Sequence, residues 1–397
     1  MFDTTGKLRF SDTTLRDGEQ APGVVFSLAD KLRIAAALDG LGVDEAEVGA
    51  PAMGAEELGG LRVLAAQGFR MRLSCWCRAL EEDVYAAAKA GIGTVNISFP
   101  VSDILLGSMD RCRDWVLHHL DSVLPFAAHA GCAFSVGLQD AGRADPAFLE
   151  KVVRAIAESG AFRVRVSDTV GILNPFTTAV LVARVRSAAP RLGVSFHAHN
   201  DLGMAVANAL AAAQAGADTL DCTVNGLGER AGNCPLEELL FALKYSAGLP
   251  LTWDPAKLSA LCGLTAEASG RPVPSAKPVT GAMALRHESG IHVRSLLKDP
   301  LSYAAYPPSA LGLADHAYAL GKHSGAAGVK AFFAVHGLAL AFEDVRKVAE
   351  AVRQASRRLK RDLDEHEVLE LYTLETRPLS RPHFDCADLA ALSRAGA

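Results

Sequence analysis

Residues 194–223 read VSFHAHNDLGMAVANALAAAQAGADTLDCT and contain one complete strand–helix–strand unit. The run 194–198 is short, is centred on valine and phenylalanine, and is typical of a buried strand. The alanine-rich stretch 204–215 has helical periodicity, and the glycine that follows it is the residue that most often ends a helix. A second strand-like run begins at 219. The segment therefore predicts two strands joined by a helix.

The same alternation recurs along the first 250 residues. The predicted strands are Leu8–Ser11, Glu45–Val48, Arg70–Ser74, Thr94–Ser98, Ala133–Leu138, Arg163–Val166, Val194–Ala198 and Thr219–Thr223. Predicted helices between them include Leu28–Leu38, Glu81–Ala90, Pro146–Ser159 and Met204–Ala215. Eight such strands predict an α/β protein with a (β/α)8 TIM barrel. The main rival is a doubly wound open sheet, but no G-x-G-x-x-G follows an early strand, which weakens a dinucleotide-binding fold.

The composition changes after about Pro250. Residues 251–282 are rich in proline and predict a linker with a short helix. The stretch 332–391 is charged and has helical spacing. We therefore predict a catalytic barrel over residues 1–250, a linker over 251–282, and a smaller, mainly helical C-terminal region over 283–397.

The composition excludes several classes of protein. Of the 397 residues, 50% are hydrophobic and 21% charged, and the formal net charge is −5, so nothing suggests nucleic acid as a partner. Residues 1–10 lack the apolar stretch of a signal peptide, and the longest uncharged run, 122–139, contains proline and glycine. The eight cysteines form no C-x2-C pair, which favours reduced thiols. We expect a cytoplasmic protein without a membrane span.

A dense group of polar residues follows the first predicted strand. Residues 11–20 read SDTTLRDGEQ and hold two aspartates, an arginine and a glutamate beside a glycine. In a barrel, the loops at the carboxyl ends of the strands form the catalytic face. A solvated helix-capping loop is the simpler interpretation, but the number of charged groups at this position favours a functional site.

Two histidines share one face of the seventh predicted strand. Because alternate residues of a strand point to the same side, His197 and His199 project together. Two imidazoles with one added carboxylate are typical ligands of a divalent metal. A lone histidine is more often a packed core residue, and Asn200 and Asp201 also suit the cap of the following helix.

Two further segments give weaker signals. Residues 223–235, TVNGLGERAGNCP, suit a loop that approaches a ligand and offers an asparagine or backbone oxygen to a metal, or a plain connector before a helix. Residues 287–292, HESGIH, hold two histidines and a carboxylate suited to acid/base work, if they reach the mouth of a barrel in the same chain or in a neighbouring subunit.

Together these segments resemble the signature of the α-isopropylmalate synthase and homocitrate synthase family. The resemblance rests on residues 12–20, 197–201, 225–233 and 287–292, in that order, and extends to GKHSG at 321–325. The family consists of metal-dependent barrels that join acetyl-CoA to a 2-oxo acid by a Claisen condensation. Membership implies one divalent metal ion (Mg, Mn or Zn), acetyl-CoA as co-substrate, and a homodimer in which the C-terminal region contributes to the site.

The resemblance also assigns roles to individual residues. It implies that the metal is bound by Asp17, His197, His199 and Asn233. It implies that substrate is bound by Arg16, Gln20, Glu47, Arg143 and Thr169. Catalytic roles are implied for Arg16, His287 and Tyr303, with His287 acting as an acid/base from the partner subunit. Such a ligand set leaves metal positions open to a 2-oxo acid, whose ketone the metal would polarise.

Within the family, residues 47–54, EVGAPAMG, resemble the nitrogen-fixation homocitrate synthases more than the isopropylmalate synthases. The chain also ends near the point where isopropylmalate synthases append a leucine-sensing domain. The expected reaction is therefore the condensation of acetyl-CoA with 2-oxoglutarate, followed by thioester hydrolysis to homocitrate and CoA.

Several alternatives stay open. A 2-isopropylmalate or citramalate synthase differs only in the 2-oxo acid, and a carbon–carbon lyase of the same barrel superfamily shares the metal ligands. The family often has glutamate where this chain has Gln139. Because glutamine cannot accept a proton, this difference keeps open a catalytically inactive barrel that serves as a binding subunit.

Overall fold

The computed structural model describes residues 8–376, which form two compact units. One unit runs through Ala284 and includes Ser309–Leu313, whereas the other contains Leu285–Pro308 and the residues from Ala314 onward. Of the predicted C-terminal region 283–397, residues 377–397 lie outside the described part. Among the described residues, no helix combines the length and the apolar character that a membrane crossing requires.

Eight parallel strands of the first unit close into a barrel in sequence order, because β1 pairs with both β2 and β8. The strands are β1 (Arg9–Asp12), β2 (Glu45–Glu47), β3 (Arg72–Arg78), β4 (Thr94–Pro100), β5 (Ala133–Gln139), β6 (Arg163–Asp168), β7 (Gly193–Ala198) and β8 (Thr219–Cys222). The predicted TIM barrel is confirmed, and the open-sheet alternative is wrong.

Helices follow the strands around the outside of the barrel. They are α1 (Leu28–Leu41), α2 (Ala55–Ala65), α3 (Glu81–Lys89), α4 (Asp103–Ser108), α5 (Arg113–His129), α6 (Pro146–Glu158), α7 (Pro175–Ala188), α8 (Ala205–Gln214), α9 (Leu236–Phe241) and α10 (Pro255–Ser269). Local sequence sets several of their starts. Ser27 and Asp30 form a capping box at α1, and Asp145 caps α6 just before Pro146.

The third strand differs most from its predicted bounds, since it begins two residues later and ends four residues later. Arg70 does not start it, because its backbone N–H donates to Asp39 Oδ1 at 2.8 Å. The strand continues through Cys75 and Cys77, both of which are fully buried. Their small apolar side chains extend the alternating pattern that the sequence analysis ended at Ser74.

The interior of the barrel is polar. Arg163 and Arg165 on β6 pair with Glu45 and Glu47 on β2, which lies on the opposite side of the ring, so these side chains cross the interior. Val164, between the two arginines, points the other way and is fully buried. The apolar core therefore lies between the strands and the helices, whereas the interior holds charged pairs.

Residues 251–282, which were predicted to be a linker, contain α10 and belong to the same unit as the barrel. Helix α10 packs against α1. Lys257 Nζ donates to the carbonyl of Gly40 at 3.1 Å, and Arg271 Nη2 donates to the carbonyl of Pro22 at 2.6 Å. These contacts attach the segment to the barrel.

The second unit is mainly helical, as predicted. It contains the short parallel strands β9 (Arg286–His287) and β10 (Ala317–Tyr318), and the helices α11 (Gly290–Leu296), α12 (Ala326–Val335), α13 (Phe342–Leu359) and α14 (Glu365–Thr376). Its apolar core forms around Phe333 of α12 and the valines of α13, of which Val345, Val348 and Val352 are fully buried.

Candidate active site

The loop after β1 begins with a turn held by Asp12. Asp12 Oδ1 accepts a hydrogen bond from the backbone N–H of Thr14 at 2.9 Å. Thr14 Oγ1 accepts a hydrogen bond from the N–H of Val224 at 2.8 Å, which ties this loop to the loop after β8. The two contacts fix the chain just before Arg16 and Asp17.

The carboxyl group of Asp12 has a raised pKa because it is buried. Burial, reinforced by the nearby carboxylates of Glu237 and Asp221, raises the pKa of Asp12 from 3.8 to about 7 despite the hydrogen bond from Thr14. Between these two values the folded protein holds the proton more tightly than the unfolded chain does. The stability contributed by protonated Asp12 is therefore lost as the pH rises through this window, and the loss is complete above about pH 7.

We expect the Asp12→Asn variant to gain thermal stability relative to the wild type by a few degrees between pH 5 and pH 8. Its amide oxygen keeps the contact to Thr14, and it carries no group that must ionise in the interior. Calorimetric melting at several pH values measures this difference. Asp103→Asn is the control, since Arg113 lowers the pKa of Asp103 and leaves it ionised throughout this range. A stability difference independent of pH would contradict the expectation.

Three potential metal ligands meet at the carboxyl ends of β1 and β7. The Nε2 atom of His197 lies 2.9 Å from Oδ2 of Asp17, and the Nε2 atom of His199 lies 3.6 Å from the same oxygen. One ligand atom from each residue falls within 4.8 Å of the others. All three residues are buried. Within residues 8–376, this is the single group of three or more such side chains close enough to share a cation.

Hydrogen bonds on the far side of each ring fix the tautomers of both histidines. His197 Nδ1 lies 3.2 Å from Oδ2 of Asp221, and His199 Nδ1 lies 3.1 Å from the backbone carbonyl of Asp168. Arg165 and His197 outweigh the effect of burial and lower the pKa of Asp221, which is therefore an ionised acceptor. Because both partners only accept, each Nδ1 carries a hydrogen, which leaves each Nε2, on the side of Asp17, as the ring atom available to a cation.

Asn233 offers a fourth possible ligand next to this group. It pairs with His199 through an isolated bridge, and its Nδ2 donates to the carbonyl of Leu227 at 3.1 Å. Its Oδ1 is buried without a hydrogen-bond partner among the described residues. Gly228 permits this approach, because a Cβ there would lie 2.5 Å from Nδ2 of Asn233.

The donor set fits a divalent cation. Two imidazole nitrogens, one carboxylate and one amide oxygen are ligands that Zn, Mn and Mg sites use. The buried Oδ1 of Asn233 would cost about 1–3 kcal/mol if it were left unsatisfied, so a cation bound to it removes a penalty. Asp17, His197, His199 and Asn233 are the residues that would hold it.

The electrostatics keep Asp17 ionised. Burial alone would raise the pKa of Asp17, but the guanidinium of Arg16 and the two imidazoles outweigh it and hold this pKa well below its usual range. Burial likewise disfavours a charged His197, yet contacts with Asp17 and Asp221 raise its pKa above the ordinary value. A proton and a cation therefore compete for the position between His197 and Asp17.

Arg16 lies beside the metal ligands and is held by two carboxylates. Its Nη1 donates to Asp17 Oδ1 at 2.9 Å and to Gln20 Oε1 at 3.4 Å, and its Nε donates to Glu47 Oε1 at 2.5 Å. Glu47 is fully buried, and its second oxygen accepts from Arg165 Nη1 at 2.8 Å. Gln20 and Glu47 are thus brought to Arg16, but both oxygens of Glu47 already have partners.

Arg143 and Thr169 meet through a residue that the sequence analysis did not select. The guanidinium of Arg143 makes two-pronged contact with the carboxylate of Asp140 at 2.7 to 3.0 Å. The backbone N–H of Asp140 donates to Thr169 Oγ1 at 2.8 Å. These residues lie at the carboxyl ends of β5 and β6. Because His199 is bound to the carbonyl of Asp168, this pair is linked to the metal ligands through one residue of the chain.

His287 and Tyr303 lie in the second unit and form a cluster with two further histidines. The ring of His287 stands nearly perpendicular to that of His316, with centroids 5.2 Å apart, and His292 stacks on Tyr303 at 4.1 Å. Burial, helped by His316 and His292, lowers the pKa of His287, so its imidazole is neutral near pH 7. Its Nε2 is buried without a hydrogen-bond partner among the described residues.

Four residues that support the site were absent from the sequence-based set, namely Asp140, Arg165, Asp168 and Asp221. Each is a charged residue within a predicted strand or two residues after its end, which is the one signal that the sequence offered. Charged residues rarely occupy buried strand positions unless they are paired. Their partners lie 3 to 118 residues away in the chain and could not be named from the sequence.

Comparison with known proteins gives matches along most of the chain. Residues 7–264 match the HMGL-like family model, and residues 279–360 match the model for the homocitrate synthase post-HMGL domain-like family. The chain is 43% identical to homocitrate synthase 1 of Nostoc sp., over 92% of this chain and 97% of the relative. It is 41% identical to 2-isopropylmalate synthase 2 of Caldanaerobacter subterraneus, over 91% of this chain and 94% of the relative.

A solved structure, the hydroxymethylglutaryl-CoA lyase of Pseudomonas aeruginosa, has the same barrel. It superposes with a TM-score of 0.58 at 24% identity, covering 74% of this chain and 98% of the lyase. At this identity the likeness concerns the fold alone.

Proposed function

The chain belongs to the isopropylmalate synthase and homocitrate synthase family of condensing acyltransferases, and on this premise we propose that it is a homocitrate synthase. The proposed reaction joins acetyl-CoA to 2-oxoglutarate and then hydrolyses the thioester, which releases homocitrate and CoA. We also propose that the protein is a homodimer and that it is a homocitrate synthase of the nitrogen-fixation type. The assignment to this type is supported by the loop 47–54 and by the similarity to homocitrate synthases.

One observation carries the proposal. Two imidazoles, each with a hydrogen fixed on Nδ1, place their Nε2 atoms beside the single carboxylate of Asp17. When bound there, a divalent cation supplies Lewis-acid polarisation of the ketone of a 2-oxo acid. The residues that would hold it are Asp17, His197, His199 and Asn233.

Arg16 has the geometry to orient the 2-oxo acid. Asp17, Gln20 and Glu47 occupy its Nε and Nη1 groups, while its Nη2 group has no protein partner within residues 8–376. This group can donate to the ketone oxygen or the carboxylate of the substrate. Thr169 and Arg143, held together by Asp140, are the proposed contacts for the carboxylates of the 2-oxo acid.

Proton transfer is assigned to the second unit. The lowered pKa of His287 leaves its imidazole neutral, so it can accept a proton from the methyl group of acetyl-CoA. Tyr303, packed on His292 in the same cluster, is the proposed second acid/base group. The family resemblance supports delivery of these groups from the partner subunit of a homodimer. Gln139 cannot take over this role, because an amide does not accept a proton.

The second candidate is a 2-isopropylmalate synthase, favoured by a relative of that name at 41% identity. Thiol release from acetyl-CoA with a panel of 2-oxo acids separates the two functions. We expect kcat/KM to be at least tenfold higher with 2-oxoglutarate than with 2-oxoisovalerate or pyruvate, and activity to disappear on treatment with a chelator. A preference for 2-oxoisovalerate or pyruvate would overturn the homocitrate assignment. The absence of thiol release with every acid would indicate an inactive barrel.

A further inference from the structure

A closed ring of six side chains joins the proposed substrate-binding arginine to a metal-binding histidine. In order around the ring, the members are Arg16, Glu47, Arg165, Asp221, His197 and Asp17. Every neighbouring pair lies between 2.5 and 3.2 Å apart. Arg165 is the member farthest around the ring from Asp17, and nothing in the site described above gives it a role of its own.

Arg165 bridges the two halves of the ring from inside the barrel. Its Nη1 donates to Glu47 Oε2 at 2.8 Å, and its Nε lies 2.6 Å from Asp221 Oδ2. Glu47 holds the Nε of Arg16 on one side, and Asp221 accepts from Nδ1 of His197 on the other. A single guanidinium therefore pairs with both carboxylates, through a hydrogen bond to Glu47 and a close ionic contact with Asp221.

The three side chains of this bridge are buried, so water cannot replace the charge of Arg165 if it is lost. The side chains of Glu47 and Asp221 have no exposed surface, and that of Arg165 is 3% exposed. Two buried carboxylates that lose their common cation repel each other and move toward other partners. A shifted Glu47 would displace the guanidinium of Arg16, and a shifted Asp221 would no longer accept the hydrogen bond from Nδ1 of His197.

We propose that Arg165 is a positioning residue that couples the 2-oxo acid site to the metal site, through Glu47 to Arg16 and through Asp221 to His197. It acts without contacting either ligand. Loss of the bridge therefore weakens metal binding and 2-oxo acid binding together. The kinetic part of this inference rests on the proposed condensation reaction, whereas the metal-binding part does not.

The test compares Arg165→Lys with Arg163→Lys. Arg163 lies two residues earlier on the same strand, is equally buried, and pairs with Glu45 at 2.8 Å outside the ring. Lysine keeps the charge in both variants but cannot bridge two carboxylates with fixed geometry. Each protein is stripped of metal and titrated with Mn²⁺ by calorimetry, and KM and kcat are then measured at saturating Mn²⁺.

For Arg165→Lys we expect the Kd for Mn²⁺ to rise by about tenfold and the KM for the 2-oxo acid to rise several-fold, the range typical of residues behind metal ligands. For Arg163→Lys both constants should stay within about twofold of the wild type. The inference would be overturned if Arg165→Lys left Kd and KM unchanged and lowered the melting temperature as Arg163→Lys does. Arg165 would then contribute to stability alone.

A second variant keeps the test decisive if Arg165→Lys does not fold. Asp221→Asn changes the contacts with His197 and Arg165 but not those of Arg16, so at saturating Mn²⁺ the coupling predicts a several-fold higher KM for the 2-oxo acid. An unchanged KM would exclude the coupling. If no 2-oxo acid is turned over, the Mn²⁺ titrations still decide the inference, so its failure is distinguishable from failure of the proposed function.

Discussion

Asp17→Asn is expected to lower kcat/KM by roughly 1000-fold or more and to remove the divalent metal from the purified protein. The carboxylate is the one negatively charged member of the ligand set, and its Oδ2 is the atom that both histidine Nε2 atoms face. A bound metal stabilises charge in the transition state by several kcal/mol, and each 1.4 kcal/mol corresponds to about a tenfold change in rate. An asparagine oxygen at the same position is a neutral and weaker ligand.

Elemental analysis and thiol-release kinetics measure the two effects. Asp103→Asn, an exposed carboxylate paired with Arg113, is the control and should retain metal and rate. If the Asp17→Asn protein kept stoichiometric metal and a rate within tenfold of the wild type, Asp17 would not be a metal ligand. Adding excess Mn²⁺ to the variant then tests whether the lost activity reflects lost affinity alone.

Arg16→Lys is expected to lower kcat/KM by about 100-fold or more, even at saturating Mn²⁺. The guanidinium donates to Asp17 and Glu47 at the same time, and its Nη2 group faces no protein partner among the described residues. A lysine ammonium provides a single charged centre on a flexible stem and cannot keep both carboxylates in place while it binds substrate. The loss should therefore appear mainly as a higher KM for the 2-oxo acid, together with a lower kcat.

The same kinetics with metal analysis separate this prediction from the first one. Arg184→Lys is the matched control, because Arg184 makes a partly exposed pair with Glu150 on the outer helices. Loss of metal together with loss of rate in Arg16→Lys would mean that Arg16 maintains the metal site. A rate within about threefold of the wild type would remove Arg16 from substrate binding.

The sequence alone predicted the fold class and the three side chains, Asp17, His197 and His199, that the structure brings together. Strand and helix periodicities depend on local geometry, so eight alternations were visible without any contact information. The pair His197 and His199 was visible for the same reason, because alternate residues on a strand share a face. The grouping of Asp17 with this pair came from the resemblance to the family, whereas the barrel rule placed its loop on the same face of the barrel.

The tertiary structure decided what surrounds these ligands. Glu47 lies 118 residues from Arg165, yet the two meet because β2 and β6 face each other across the closed barrel. Asp221 reaches Nδ1 of His197 from the neighbouring strand and thereby fixes which nitrogen is free for a metal. A charged residue in a strand reveals that a partner must exist, but the partner is chosen by the closure and register of the barrel. These are long-range properties that no local pattern encodes, because they arise only when distant strands are brought side by side.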